Sequence, residues 1–172
     1  MEKTTISLFK GYSDKMPVDS SLEEIVQIIR CDAALHDRTE KYRHYLRQGW
    51  KRDADREKAG CPCFAVAVNF RGGKTRADIC HWTGYTLVDL DHIPPGRMAD
   101  IRKRVCDDRH TLLAYTTVSG AGIRVICRIE DLNGQVGEKR FRRYVACFNG
   151  VNDYYSRMEN AFRLFSDNAV PE

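Results

Sequence analysis

The sequence predicts a mixed α/β (α+β) domain in which helices pack against a partly antiparallel sheet. Strand-like runs alternate with helical periodicities along the chain, as layered folds of this class require. A glycine turn, SGAG at 119–122, joins two strand-like runs closely enough for a hairpin. The 172 residues, 42% hydrophobic, suffice for a buried core and suit a single domain over residues 1–172.

Each element follows from local pattern. ISLFKGY near the start reads as a short strand. In SSLEEIVQIIR, Ser20 and Glu23, or Ser21 and Glu24, have capping-box spacing, and Leu22, Ile25, Val26 and Ile29 follow at helical intervals. From Asp37 to about Trp50 runs an arginine-rich helix with Tyr42, Tyr45 and Leu46 on one face. CPCFAVAVNF, bounded by RGGK, reads as a strand and then a turn. TGYTLVDLD is a mostly apolar strand whose length suits a central position. After HIPPG, the repeat of Met98, Ile101, Arg102 and Val105 gives a helix to about Cys106. HTLLAYTTV is strand-like, and IRVICRI alternates so that Ile123, Val125, Cys127 and Ile129 share a face. A helix from about Glu138 to Phe148 turns Phe141, Tyr144, Val145 and Phe148 inward, and the tail reads as helix mixed with a short strand.

Composition narrows the function classes. With 30% charged residues and no apolar run near the roughly 18–20 residues of a membrane span, the chain reads as globular, without a membrane partner. The start lacks the basic and apolar regions of a secretory signal, and seven Cys without framework spacing fit a reduced, cytoplasmic setting. Net charge is only +4, but Arg outnumbers Lys about two to one. The cations cluster at 38–58, 102–104 and 138–144, and Arg with interleaved Tyr and Trp suits phosphate and base contacts. Solvated helix faces are the plainer reading of any one cluster.

YTLVDLDHIPPG raises the sharpest question, because Asp89 and Asp91 interrupt an apolar strand. Residues two apart on a strand point the same way, so both carboxylates share a side while Leu90 faces the core. Two close carboxylates repel unless a cation or proton intervenes, and hard divalent ions such as Mg²⁺ or Mn²⁺ take oxygen ligands together with substrate phosphates. The alternative is a strand exit with solvated acids. Downstream, TTVSGAGIR offers glycines whose backbone can approach a phosphate, a Ser119 hydroxyl and the Arg124 guanidinium. It is neither a P-loop nor a dinucleotide fingerprint, and an ordinary glycine hairpin is its plainer reading.

In TGYTLVDLDHI, then SGAGIRVI, then an Asp ahead of RLFS, the chain resembles the archaeo-eukaryotic primase (primase-polymerase) superfamily. More narrowly, it resembles the primase-like N-terminal domain of virulence-associated E-type replication proteins of bacteria and mobile elements. Arg124 stands where many members have His. The resemblance implies an RRM-like core and two-metal nucleotidyl transfer by Asp89, Asp91 and Asp153, with Asp167 the alternative third acid. It further implies nucleotide contacts from Ser119, Gly120, Gly122, Arg124 and Arg163. The expected partners are a DNA template and an NTP or dNTP, and a helicase-type ATPase domain in a longer chain. Two rival readings are a catalytically inactive nucleic-acid-binding module of the same fold and a metal-dependent nuclease.

Other constellations read more plainly. Cys61, Cys63, Cys80 and His81 lack knuckle spacing for zinc, and small buried Cys is the commoner reading. Cys31, Cys106, Cys127 and Cys147 fall on apolar faces as core residues. His92, beside the acids, reads as a turn histidine, and His36 and His110 as element-end residues.

Overall fold

In a computed structural model, residues 4–129, 134–135 and 137–166 are described, the side chains of 134–135 and 159–166 excepted. The elements in order are β1 (Ile6–Phe9), β2 (Val18–Ser20), α1 (Leu22–Cys31), α2 (Ala33–Arg47), α3 (Lys51–Ala59), β3 (Cys63–Ala65), β4 (Val68–Phe70) and β5 (Ile79–Trp82). They continue with β6 (Tyr85–Leu90), α4 (Met98–Asp107), β7 (Thr111–Thr116), β8 (Ile123–Arg128), β9 (Gly134–Gln135) and α5 (Glu138–Ser166). The mixed α/β expectation holds. The strands form three antiparallel sheets, ordered β2–β1–β3, β4–β5–β9 and β6–β8–β7.

The third sheet organises the molecule. The strands β6 and β7, joined through α4, are separated by β8, which is antiparallel to both, giving a split βαβ arrangement followed by α5. One face packs Val88, Leu90, Ile123, Val125 and Cys127 against Ile101 and Val105 of α4 and Tyr155 of α5. The other packs Tyr85 and Ile126, with Leu87, Leu113 and Tyr115, against Ile6 of β1 and Ile25 of α1. The strand period of two makes this possible, since alternate residues of β8 feed opposite cores. The predicted grouping of Ile123, Val125 and Cys127 is this alternation.

Helix α1 begins where the sequence places its cap. Ser21 Oγ accepts from Glu24 N at 3.3 Å, and Glu24 Oε2 accepts from Ser21 N at 2.9 Å, so the second of the two predicted pairings forms the box. Ser20 instead donates its hydroxyl to the same Glu24 Oε2 at 2.9 Å.

Several expectations are corrected. β6 is an edge strand and β8 the centre, because the hairpin β7–β8 inserts its second strand beside β6. CPCFAVAVNF divides into β3 and β4 in different sheets, with Val66 and Ala67 between them. The strand β5 and the helix α3 are additional, and α5 runs unbroken from Glu138 to Ser166, well past the predicted end at Phe148. Leu46, Val145 and Phe148 are exposed. Of the four cysteines read as core, Cys127 is buried, Cys147 half-buried, and Cys31 and Cys106 exposed.

Candidate functional site

Antiparallel pairing of β6 with β8 brings the two singled-out motifs together. The register sets Asp89 opposite Arg124 and Leu90 opposite Ile123. Across this pair Arg124 Nε donates to Asp89 Oδ1 at 2.7 Å, with each side chain about two-fifths exposed. On its other side Arg124 is opposite Tyr115 of β7. Burial works against the Arg124 charge, but Asp89 and Tyr115 outweigh it and hold the guanidinium's pKa above its ordinary value. Burial pushes the Tyr115 phenol up, only partly offset by Arg124.

The SGAG turn locks onto the exit of β6. Thr117 N donates to Gly122 O at 2.9 Å, Gly120 N to Thr117 O at 2.9 Å, and Ile93 N to Ala121 O at 2.9 Å. A Cβ on Gly122 would come within 2.8 Å of both Asp91 Oδ1 and Leu90 O, so only glycine lets the two segments approach this closely. Gly120 sits at φ +77°, the left-handed region that glycine adopts without strain. Ser119 Oγ accepts from Ala121 N at 3.3 Å and bonds Thr117 Oγ1 at 2.9 Å. Ser119, Gly120 and Gly122 therefore build the turn, and the backbone N–H groups of Gly120 and Ala121 already have partners within it. His92 adopts φ 59° in the turn leaving β6, matching its reading as a turn residue.

Beside Arg124 opens a cavity of about 540 Å³ between α2 and the sheet. His36, Thr39, Glu40 and Arg43 line it from α2, Phe64 and Val66 from the β3 segment, and Leu87, Tyr115 and Arg124 from the sheet. Thr116, Thr117 and Val118 close one end, where Arg43 Nε donates to Val118 O at 3.0 Å. That bond draws Arg43 and the Thr116–Val118 segment together, and Thr116 follows directly on Tyr115, the strand partner of Arg124. The other end is apolar, with Ile29 and Leu35. Phe64 and Tyr115 face each other on the wall, ring centroids 6.0 Å apart. Arg124 was legible in the sequence as a candidate site residue. The α2 contributions were not, although positions 36, 40 and 43 have the spacing of one helix face.

The third acid does not join the pair. Asp153 is exposed on α5, where it lines a separate cavity with Tyr154 and Arg157. Among the described residues no three or more His, Cys, Asp or Glu side chains are gathered so that they could hold a metal ion. Asp89 is moreover already neutralised by a guanidinium. The Mg²⁺ or Mn²⁺ site expected at Asp89, Asp91 and Asp153 thus does not fit this arrangement. Asp167 and the Arg163 side chain lie outside the described residues. The Cys61, Cys63 and Cys80 thiols each donate to a different backbone carbonyl: Glu57 O at 3.4 Å, Gly11 O at 3.5 Å and Asn69 O at 3.4 Å. Burial pushes the Cys61 and Cys63 thiols up, favouring the neutral form.

Comparison with known families decides the affiliation. The family described as BT4734-like, N-terminal domain, matches residues 56–164, well over half of the chain. The chain belongs to the BT4734-like N-terminal domain family. This corrects the resemblance to the primase-polymerase superfamily and to the virulence-associated E-type domain, for which the family comparison gives no support. The resemblance rested on three short patterns in order, a D-x-D, a glycine turn and an Asp ahead of RLFS, the first two of which an acid-ended strand beside a hairpin produces on its own. The BT4734-like segment starts within α3 and takes in the whole third sheet with α4 and nearly all of α5, while α1 and α2 precede it. No curated protein and no solved structure matches the chain. No helix among the described residues is long and apolar enough to cross a membrane.

Proposed function

We propose that this BT4734-like domain binds a nucleotide in the cavity between α2 and the third sheet. The observation that supports this is the pairing, in one cavity, of two guanidinium groups with an apolar, aromatic wall. Arg43 and Arg124 offer charge-assisted donors for phosphate. Phe64, Tyr115, Ile29 and Leu35 offer the surface that a flat base requires. The phosphates are assigned to the Arg43–Val118 end and the base to the apolar end, where His36 and Glu40 supply polar contacts to a ring edge. The volume of about 540 Å³ falls within the range of small-ligand pockets.

The reading is one of binding, with no transfer chemistry assigned. It is tested by titrating a fluorescent ATP analogue into the intact chain and into Arg43→Ala and Arg124→Ala. Saturable binding by the wild type, weakened roughly tenfold or more in each variant, is the expected result. Absence of binding by folded wild type at millimolar nucleotide, or equal binding by all three proteins, would overturn it. Template-dependent incorporation that is lost on combining Asp89→Ala with Asp91→Ala would replace it with nucleotidyl transfer.

A further inference from the structure

The tip of the α2–α3 hairpin carries an aromatic group that the fold does not bury. Trp50 is 54% exposed, whereas the other tryptophan, Trp82, is 3% exposed. The Trp50 ring lies 5.9 Å from that of Tyr45 at 34° and 6.2 Å from that of His44 at 82°, so it is held by neighbouring rings. The backbone around it is closed as well. Trp50 N donates to Tyr45 O at 2.9 Å, Lys51 N to Gly49 O at 3.0 Å and Ala54 N to Trp50 O at 3.0 Å. Gly49, at φ +77° with open space beside it, turns the chain between the helices, so the turn itself does not need an indole.

The sequence flanking the exposed ring is basic. The stretch HYLRQGWKR, residues 44–52, contains three cations and no acid. Arg47, Lys51 and Arg52 are exposed, and none makes an ion pair among the described residues. The nearest acid along the chain, Asp53, is paired with Arg56 at 2.6 Å. A half-exposed indole, held by neighbouring rings and flanked in sequence by exposed cations without ion pairs, suits a ligand with both flat faces and a charged backbone.

We infer that this tip is a binding platform for single-stranded nucleic acid. One base stacks on Trp50 while flanking phosphates meet Arg47, Lys51 and Arg52. A duplex would engage the cations but hide its base faces, and an acidic protein would leave the indole unused. Arg47 stands one helical turn from Arg43 on the same helix, about 6 Å along its axis, so the platform borders the cavity without sharing its lining residues. The residues 44–52 also precede the BT4734-like segment.

The experiment follows tryptophan fluorescence while a short oligothymidylate is titrated into the intact chain at low and moderate salt. Because Trp82 is buried, quenching reads Trp50. Saturable quenching, with affinity falling as salt rises, is expected. By anisotropy of a labelled oligonucleotide, Trp50→Ala weakens binding roughly tenfold, Trp50→Phe by less, and Arg47→Glu with Lys51→Glu abolishes it. Circular dichroism and the melting temperature check that each variant is folded. Arg124→Ala leaves this binding unchanged, which separates the platform from the cavity. Binding without quenching, equal binding by Trp50→Ala, equal affinity for a duplex of the same length, or binding only to anionic vesicles would each overturn the inference.

Discussion

Arg124 of β8 grips Asp89 of β6 directly across the ladder, Nε to Oδ1 at 2.7 Å, and the same guanidinium lines the cavity. Asp89 is thus the anion with which any phosphate in the cavity competes. Asp89→Asn removes that competitor and is expected to tighten nucleotide binding severalfold, whereas a metal-ligand role would make the same change damaging. Equilibrium titration of the two proteins with and without Mg²⁺ distinguishes them. Because the pair is partly exposed, the change in folding stability stays within about 1 kcal/mol.

Gly122 and Gly120 are expected to respond differently to alanine. Gly122→Ala drives a methyl against Leu90 O and Asp91 Oδ1, both at 2.8 Å, and one of these is backbone that cannot swing away. A loss of about 1–3 kcal/mol follows. Gly120→Ala meets only the flexible Arg43 side chain, at 3.4 Å, so its cost is the left-handed backbone, roughly 1 kcal/mol. Urea unfolding of both variants measures the order, and a larger loss at Gly120 contradicts it.

Tyr155, 1% exposed, ties α5 to the sheet. Its hydroxyl bonds Thr111 Oγ1 at 2.8 Å and donates to Asp108 Oδ1 at 3.2 Å. Tyr155→Phe keeps the ring but strands these partners, and a loss of about 1–2 kcal/mol is expected from chemical denaturation.

Asp108 adds a pH dependence. Burial raises its carboxyl, but hydrogen bonds from Tyr154, the His110 N–H and Tyr155 outweigh this and hold it below its ordinary 3.8. A folded-state pKa below the unfolded one gives stability that is present above 3.8 and lost as pH falls through the lower, folded value. Asp108→Asn is therefore expected to flatten the acid limb of the stability profile below about pH 4, read from urea midpoints across that range. An unchanged acid limb contradicts the assignment.

The cap of α1 gives a local prediction. Ser21→Ala removes the acceptor for Glu24 N and is expected to cost about 1 kcal/mol, with Ser21→Asp restoring most of it. The thermal melts of the three proteins provide the comparison.

How much was legible depended on the range of the signal. The Ser21–Glu24 cap, the α4 periodicity and the two-faced β8 are patterns within a few residues, and the sequence displays them openly. The role of β6 as an edge strand was hidden, since strand order depends on which partner intervenes, and here β8 returns between β6 and β7. The carboxylates of VDLD were correctly placed at a strand end, but nothing local reveals that Arg124, 35 residues later, is the cation that balances one of them. Asp153 lies exposed on the continuous helix α5, and among the described residues no three acid, His or Cys side chains gather as metal ligands. The cavity wall on α2 was unreadable for a related reason: the contact between Arg43 and Val118 joins segments 75 residues apart.

The strand β8 is shared by both cores, with Val125 committed to one and Ile126 to the other, each at 0% exposure. Its amides should therefore be the last to exchange with solvent, opening only when the whole domain does. The hairpin of α2 and α3 contributes to neither of those clusters, so its amides can exchange through a cheaper, partial opening. The cavity then has one fixed wall and one that breathes, and a ligand held between them would register first as slowed exchange in α2.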